Sequence, residues 1–160
     1  MVIKKDSIQT KSPAWTALHD RLAGRGGRLT PQRMAIYEAV VGRTSHPSVA
    51  AVHQEVRRRF PGLSAATVYS ALDLFARLGF IQEVSGAVRR YDGRAGTHVN
   101  LVCQRCGRIT DVPDVELEAV QHRAASRARF LVAAVRFELH GFCPGCQRST
   151  RRGRGRDARS

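Results

Sequence analysis

"SAATVYSALDLFARLGFIQEVSGAVRRYD", residues Ser64–Asp92, joins a helical pattern to two short alternating runs, and its reading decides the fold. Ser64 is a favoured N-cap type, and Val68, Leu72 and Phe75 then fall on one helix face, with Gly79 closing the segment. "FIQEV" and "AVRRYD" alternate on either side of Ser85-Gly86, the pattern of a β-hairpin. Working upstream, Ser48 caps a helix whose buried side carries Val49, Val52, Val56 and Phe60, and "PGLS" turns it into the next. Before the "TSHPS" loop, Thr30-Pro31 opens a helix with a stripe of Met34, Tyr37 and Val41. "GRGGR" separates that helix from one running from Ser12-Pro13 to about Ala23. Short helices followed by a hairpin predict a winged helix-turn-helix, with 48–78 as the helix-turn-helix and 64–78 as its recognition helix.

The outward face of that helix is small and hydrogen-bonding. Ser64, Thr67, Tyr69 and Ser70 suit groove contacts, with Arg28 and Arg33 available for phosphates or a minor groove. Packing alone would equally explain Tyr69 as a half-buried aromatic. The chain has 160 residues and a net charge of +14, unevenly spread. Residues 1–95 carry 15 basic and 7 acidic groups, 96–150 carry 7 and 5, and 151–160 carry 5 and 1, giving surpluses of +8, +2 and +4. That balance points to a polyanionic partner, most simply double-stranded DNA, although an Arg-rich solvated surface has the same composition. A hydrophobic content of 42% excludes a wholly disordered chain. The absence of a long apolar run argues against a membrane, and the polar start "MVIKKDSIQTKSPAW" against a signal peptide, so the expected setting is the cytoplasm.

Downstream, "DGRAGTH" has linker composition, and "HVNLVC" and "RITDV" read as strands around a Cys-x-x-Cys turn. "DVELEAVQHRAASRA" reads as a helix, and "LVAAVRFELHGFC" as a long strand entering a second Cys-x-x-Cys. The fold class is therefore α+β: a winged helix-turn-helix domain followed by a small α/β domain. The expected segments are a flexible leader at 1–12, a DNA-binding domain at 13–92, a hinge at 93–97, a second domain at 98–148 and a basic disordered tail at 149–160.

Cys103, Cys106, Cys143 and Cys146 are the four cysteines of the chain, in two pairs separated by 36 residues. Two such pairs can close a tetrahedral thiolate site for structural Zn(II), with no position open to substrate. Two enzyme readings compete. "CPGC" invites a thiol oxidoreductase, but neither pair opens a helix within a βαβ unit. "HQE" at 53–55 invites a zinc deaminase, but Val102 and Phe142, not proline, precede the cysteine pairs.

A second metal site can be assembled. In a strand over 99–103, His98 and Asn100 point the same way by the period of two, and the thiolate site is already full. Asp92 ends the hairpin, Asp111 follows the next strand, and His46 lies in the "SHPS" loop. Two imidazoles and three carboxylate or amide oxygens suit Fe(II), Mn(II) or exchanging Zn(II). Taken singly, His46 could be a surface histidine, and Asp92 and Asp111 turn residues.

"RLTPQRMAIYEAV", "SHPSVAAV", "LSAATVYSALDLFARLGFI", "RYD", "HVNLVCQRCGRITDV" and "GFCPGC" together resemble the ferric uptake regulator family of metal-dependent repressors, over about residues 15–148. The resemblance implies a winged helix, a C-terminal dimerisation domain with structural zinc, a regulatory metal at the hinge, and a homodimer on AT-rich palindromic operators. It places His46, Asp92, His98 and Asp111 at the hinge-metal positions. Aspartates at both acidic positions resemble the peroxide-responsive branch, in which peroxide reacting at bound Fe(II) oxidises a histidine ligand and DNA is released; His46 and His98 would be the sensors. Asn100 departs from the pattern, standing where a second histidine is usual, which would weaken iron binding, favour Mn(II) or blunt the response. A further family site looks lost, since Glu118 remains but Thr97, Val99 and Val135 fill the other places. The expectation is a repressor responding to peroxide through Fe(II) or Mn(II). An iron, zinc or manganese uptake regulator of the same family, and a constitutive zinc-stabilised DNA-binding protein, stay open beside it.

Overall fold

In a computed structural model, residues 13–24, 27–94, 97–113, 116–132 and 135–148 are described. The expected leader at 1–12 and tail at 149–160 lie outside them, as do residues 95–96 of the expected hinge.

Four helices come first: α1 (Pro13–Ala23), α2 (Pro31–Glu38), α3 (Val49–Val56) and α4 (Ala65–Arg77). Three of them start on hydroxyl caps. Thr30, Ser48 and Ser64 accept the backbone N–H of Arg33, Ala51 and Thr67 at 3.3, 3.2 and 3.1 Å. Each cap contributes about 1 kcal/mol. α4 stops in a Schellman motif: Gly79 takes φ +78°, and Phe80 N–H donates to the Phe75 carbonyl while Gly79 N–H donates to that of Ala76. Val68, Ala71, Leu72 and Phe75 are its buried face, against α2 and α3. Tyr37 centres the core, edge-on to Trp15, Phe75 and Phe80 at centroid distances of 5.1, 5.4 and 6.3 Å.

The α2 stripe differs from the expected one. Ala35, Ile36, Tyr37 and Val40 are buried, while Met34 and Val41 sit on the flank. The helix ends at Glu38 and is covered by both α3 and α4, so its buried face is wider and rotated from a single i, i+3, i+7 line.

The wing is the antiparallel pair β1 (Gln82–Val84) and β2 (Arg90–Asp92). β2 is shorter than "AVRRYD" suggested, because β1 offers partners only as far as Val84 and Val88 is left exposed in the turn. The loop after α2 lies along β2's other side: Tyr91 N–H donates to the Pro47 carbonyl, and Ser48 bridges Arg90. Beyond β2, Gly93 bridges Val41, and a Cβ there would lie 2.6 Å from the Val40 carbonyl oxygen and from Val41 Cα. Glycine is required at that contact.

The second half holds β3 (Val99–Cys103), β4 (Ile109–Val112), α5 (Leu117–Ala128) and β5 (Glu138–Gly141). Its sheet order is β4-β3-β5, with β4 antiparallel and β5 parallel to β3. The expected long strand shrinks to β5, since β3 provides register only from Asn100 to Cys103. Residues 131–132 and 135–137 are outside any strand. Packing is uneven between the halves. Among the described residues from 97 onward, the buried apolar side chains are Val99, Val102 and Cys103, and α5 buries none. Phe130, Leu131 and Leu139 are 71%, 93% and 61% exposed. No helix among the described residues is long and apolar enough to cross a membrane.

Candidate metal centres and nucleic-acid face

The parallel pairing of β3 and β5 explains how cysteines 37 residues apart meet. Parallel strands end at the same edge, and each of these ends in a Cys-x-x-Cys turn. Cys103 pairs with Gly141 in register, and Gln104 N–H donates to the Gly141 carbonyl at 2.8 Å. Gly107, at φ +68°, closes the first turn and returns its N–H to the Cys103 carbonyl at 2.9 Å. The four sulfurs lie within 4.8 Å of one another, and Cys106 Sγ is 3.7 Å from Cys143 Sγ. A tetrahedral Zn(II) with Zn–S near 2.3 Å needs sulfurs roughly 3.8 Å apart, so the cluster fits a zinc site. The Cys143 N–H, 3.3 Å from Cys103 Sγ, leads the backbone donors that hold the Cys103 thiol down to about 6. Burial, with the neighbouring sulfurs, pushes Cys146 up to about 12. A cation held by four thiolates must expel the protons that these sulfurs still carry.

The mixed set lies between the halves. Pairing of the 46–48 loop with β2 brings His46 beside Asp92, and antiparallel register sets Asn100 opposite Asp111. His98 Nε2 lies 2.6 Å from Asp92 Oδ2, to which Asn100 Nδ2 donates a weak bond at 3.4 Å. His46 Nε2 is 3.0 Å from Asp111 Oδ1 and 4.0 Å from Asp92 Oδ2. The 3.0 Å approach lacks hydrogen-bond geometry: His46 Nε2, Asp111 Oδ1 and Asn100 Oδ1 are buried, and each has no hydrogen-bond partner among the described residues. Such atoms cost about 1–3 kcal/mol apiece when left unsatisfied. His46 also takes φ +44°, immediately before Pro47, a left-handed conformation that costs a non-glycine residue about 1–2 kcal/mol. His46 thus combines strain and burial with an Nε2 that faces Asp111 Oδ1 outside hydrogen-bond geometry, and Asn100 Oδ1 is likewise buried without a hydrogen bond among the described residues. The set is looser than the cysteines: among the described residues, the cysteine cluster alone has every ligand atom within 4.8 Å of every other.

Sequence reading missed Arg94. Its Nη1 reaches Asp111 Oδ2 at 2.5 Å, while its backbone N–H donates to Asp92 Oδ1 at 2.9 Å. Linker composition concealed it.

Ser64, the cap of α4, and Thr67, Tyr69 and Ser70 on the helix are all exposed. Ser64 and Thr67 are tied to each other, with hydroxyl oxygens 2.8 Å apart. The Tyr69 hydroxyl accepts from Arg89 Nη1 at 2.6 Å, and the guanidinium stands 5.2 Å over the ring. Glu83 holds the same guanidinium at 2.9 Å. α4 and the wing are joined through Arg89, which the double-arginine run in "AVRRYD" could have suggested. Arg28 is exposed, whereas Arg33 donates to the Arg28 carbonyl at 2.7 Å and so braces that loop.

Residues 24–140 match the family model of the ferric uptake regulators. The chain belongs to that family. The peroxide operon regulator of Bacillus subtilis is 34% identical over 131 residues, 81% of this chain and 90% of the relative. The peroxide-responsive repressor PerR of Staphylococcus saprophyticus is 32% identical over 128 residues, 79% of this chain and 86% of that one. The ferric uptake regulator Fur of Helicobacter pylori, a structure with three functional metal-binding sites, matches at a TM-score of 0.69 and 20% identity. That match covers 91% of this chain and 97% of the other and speaks to the fold. The family is one of transcriptional regulators, and neither the oxidoreductase nor the deaminase reading stands.

Proposed function

We propose that the protein is a dimeric, metal-dependent, DNA-binding repressor that responds to peroxide in the cytoplasm. The observation that carries this reading is His46: strained, buried, and aimed without a hydrogen bond at Asp111 across the two halves. Residues 13–92 are the DNA-binding domain, 93–97 the hinge and 98–148 the dimerisation domain. Cys103, Cys106, Cys143 and Cys146 hold Zn(II), which substitutes for a core where the second half buries few apolar side chains. His46, Asp92, His98, Asn100 and Asp111 hold Fe(II) or Mn(II), a nitrogen and oxygen donor set suited to either.

Closing the hinge draws His46 and Asp92 of the first half towards Asn100 and Asp111 of the second, fixing the angle between them. A dimer then presents both α4 helices at half-site spacing on an AT-rich palindromic operator. Ligand binding to the closed arrangement alone is what couples metal supply to DNA affinity. α5, with no buried residue, and the exposed Phe130, Leu131 and Leu139 support a second copy as the missing cover. Arg28, Arg33 and the outer face of α4, namely Ser64, Thr67, Tyr69 and Ser70, meet the DNA. Bound Fe(II) supplies the reactivity towards peroxide. His46 and His98 are the oxidisable side chains it would touch, and loss of either as a donor reopens the hinge.

The peroxide relatives support this branch through identity above 30%. Peptide mass spectrometry after anaerobic Fe(II) loading and a peroxide pulse tests it. One added oxygen on the peptide carrying His46 or His98, absent with Mn(II), is the expected result. Unmodified histidines after loss of DNA binding would move the sensor elsewhere.

A further inference from the structure

We propose that Arg94 is a built-in counter-cation of the hinge, holding Asp111 across the two halves in place of metal, so that metal binds against it. The inference rests on the hinge reading above. Gly93 fixes the chain against Val40 and Val41, and the Arg94 N–H is held by Asp92 Oδ1, so the residue starts from a rigid point on the first half. Its guanidinium ends on Asp111 of β4, in the second half. Asp111 is thereby divided: Oδ2 is held by Arg94, while Oδ1 faces His46 Nε2 with no hydrogen bond among the described residues.

Charge makes the two cations rivals. With neutral imidazoles, Asp92 and Asp111 supply two negative charges, and the guanidinium offsets one. A divalent ion arriving at His46 and Asp111 meets a like charge already on the same carboxylate, in a buried setting where screening is weak. Arg94 is itself 29% exposed on a flexible stem, so it can swing to solvent when metal takes Asp111. Asn100 adds to the bias, contributing a neutral amide with less donor strength than imidazole. Arg94 therefore does two things of opposite sign: it closes the hinge partly without metal, and it weakens metal binding.

A purely structural residue would act with one sign, and this separates the readings. Arg94→Gln and Arg94→Lys would be prepared as zinc-loaded full-length protein, checked for zinc content and thermal midpoint. Mn(II) affinity is then read by calorimetry, and DNA affinity of the form without Mn(II) by anisotropy. For Arg94→Gln the proposal predicts Mn(II) binding tighter by on the order of tenfold, and metal-independent DNA binding weaker by several-fold. Arg94→Lys, which keeps the charge, stays near wild type in Mn(II) affinity. Parallel loss of both affinities in Arg94→Gln would make the residue a simple brace and overturn the proposal. Unchanged Mn(II) affinity, with wild type binding normally, would overturn the proposal while leaving the hinge site intact. If neither protein binds Mn(II), the hinge reading falls and the proposal with it.

Discussion

The cysteine cluster and the hinge set differ in almost every physical respect. The first is drawn from two turns at one edge of one sheet, and its four sulfurs lie within 4.8 Å of one another. The second is drawn from the 46–48 loop, the wing end and two strands, and it carries a strained histidine, three buried atoms without a hydrogen bond among the described residues, and a guanidinium. A closed soft-ligand site with four thiolates suits a structural metal. The proposed switch needs a nitrogen and oxygen site of the second kind, where a cation would relieve what the fold leaves unsatisfied.

Four substitutions test that contrast. The largest effect belongs to Cys103→Ser. Structural zinc contributes about 10–16 kcal/mol to folding in small zinc modules, far beyond what the sparse apolar packing of this half provides. The expected outcome, by zinc analysis and size-exclusion chromatography, is zinc loss with an unfolded second half and no dimer. A folded zinc-free dimer would show that the cluster is dispensable. Next comes Gly93→Ala, whose new Cβ would strike the backbone at Val40 and Val41. Backbone cannot rotate away as a side-chain tip can, so a loss of about 3 kcal/mol in denaturant unfolding is expected. A change within experimental error would mean that the approach relaxes freely.

His98→Ala should leave the fold and the zinc in place. Mn(II) affinity should fall by more than the roughly 10–100-fold that removal of a supporting partner costs. Unaltered metal-dependent DNA binding would remove His98 from the site. Smallest is Arg89→Ala, which frees Tyr69 on α4 and takes one cation from the wing. Operator binding should weaken about uniformly across sequences, and its salt dependence should drop by about one charge. A sequence-selective loss would instead make the Arg89–Tyr69 unit a base reader.

The parts legible in sequence were those set by local rules. The period of α4 with its Ser64 cap and Gly79 stop is local and legible nearly to its ends, whereas the alternation of the wing gives the hairpin but not its three-residue strands. Cysteine spacing is as plain, because zinc chemistry admits few ligand patterns. Tertiary partners wrote the rest. β5 is cut to four residues by the length of its β3 partner, which no pattern inside "LVAAVRFELHGFC" expresses. The buried face of α2 turns towards Ile36 and Val40 because two helices cover it. Alternation shows that His98 and Asn100 share a face. Their meeting with Asp92 depends on how β3 lies against the wing, which no local pattern carries. Gly93 and Arg94 hid inside a stretch whose composition reads as linker, although one is demanded by contact with Val40 and the other reaches 17 residues on to Asp111.

The most direct test of the switch is fluorescence anisotropy on DNA from the gene's own upstream region, with protein carrying only its tight zinc. Fe(II) and Mn(II) are titrated anaerobically and separately, and peroxide is then added. The account predicts that both metals strengthen DNA binding and that peroxide releases the iron-supported complex alone. DNA affinity indifferent to both metals would contradict it and leave a constitutive, zinc-stabilised DNA-binding protein.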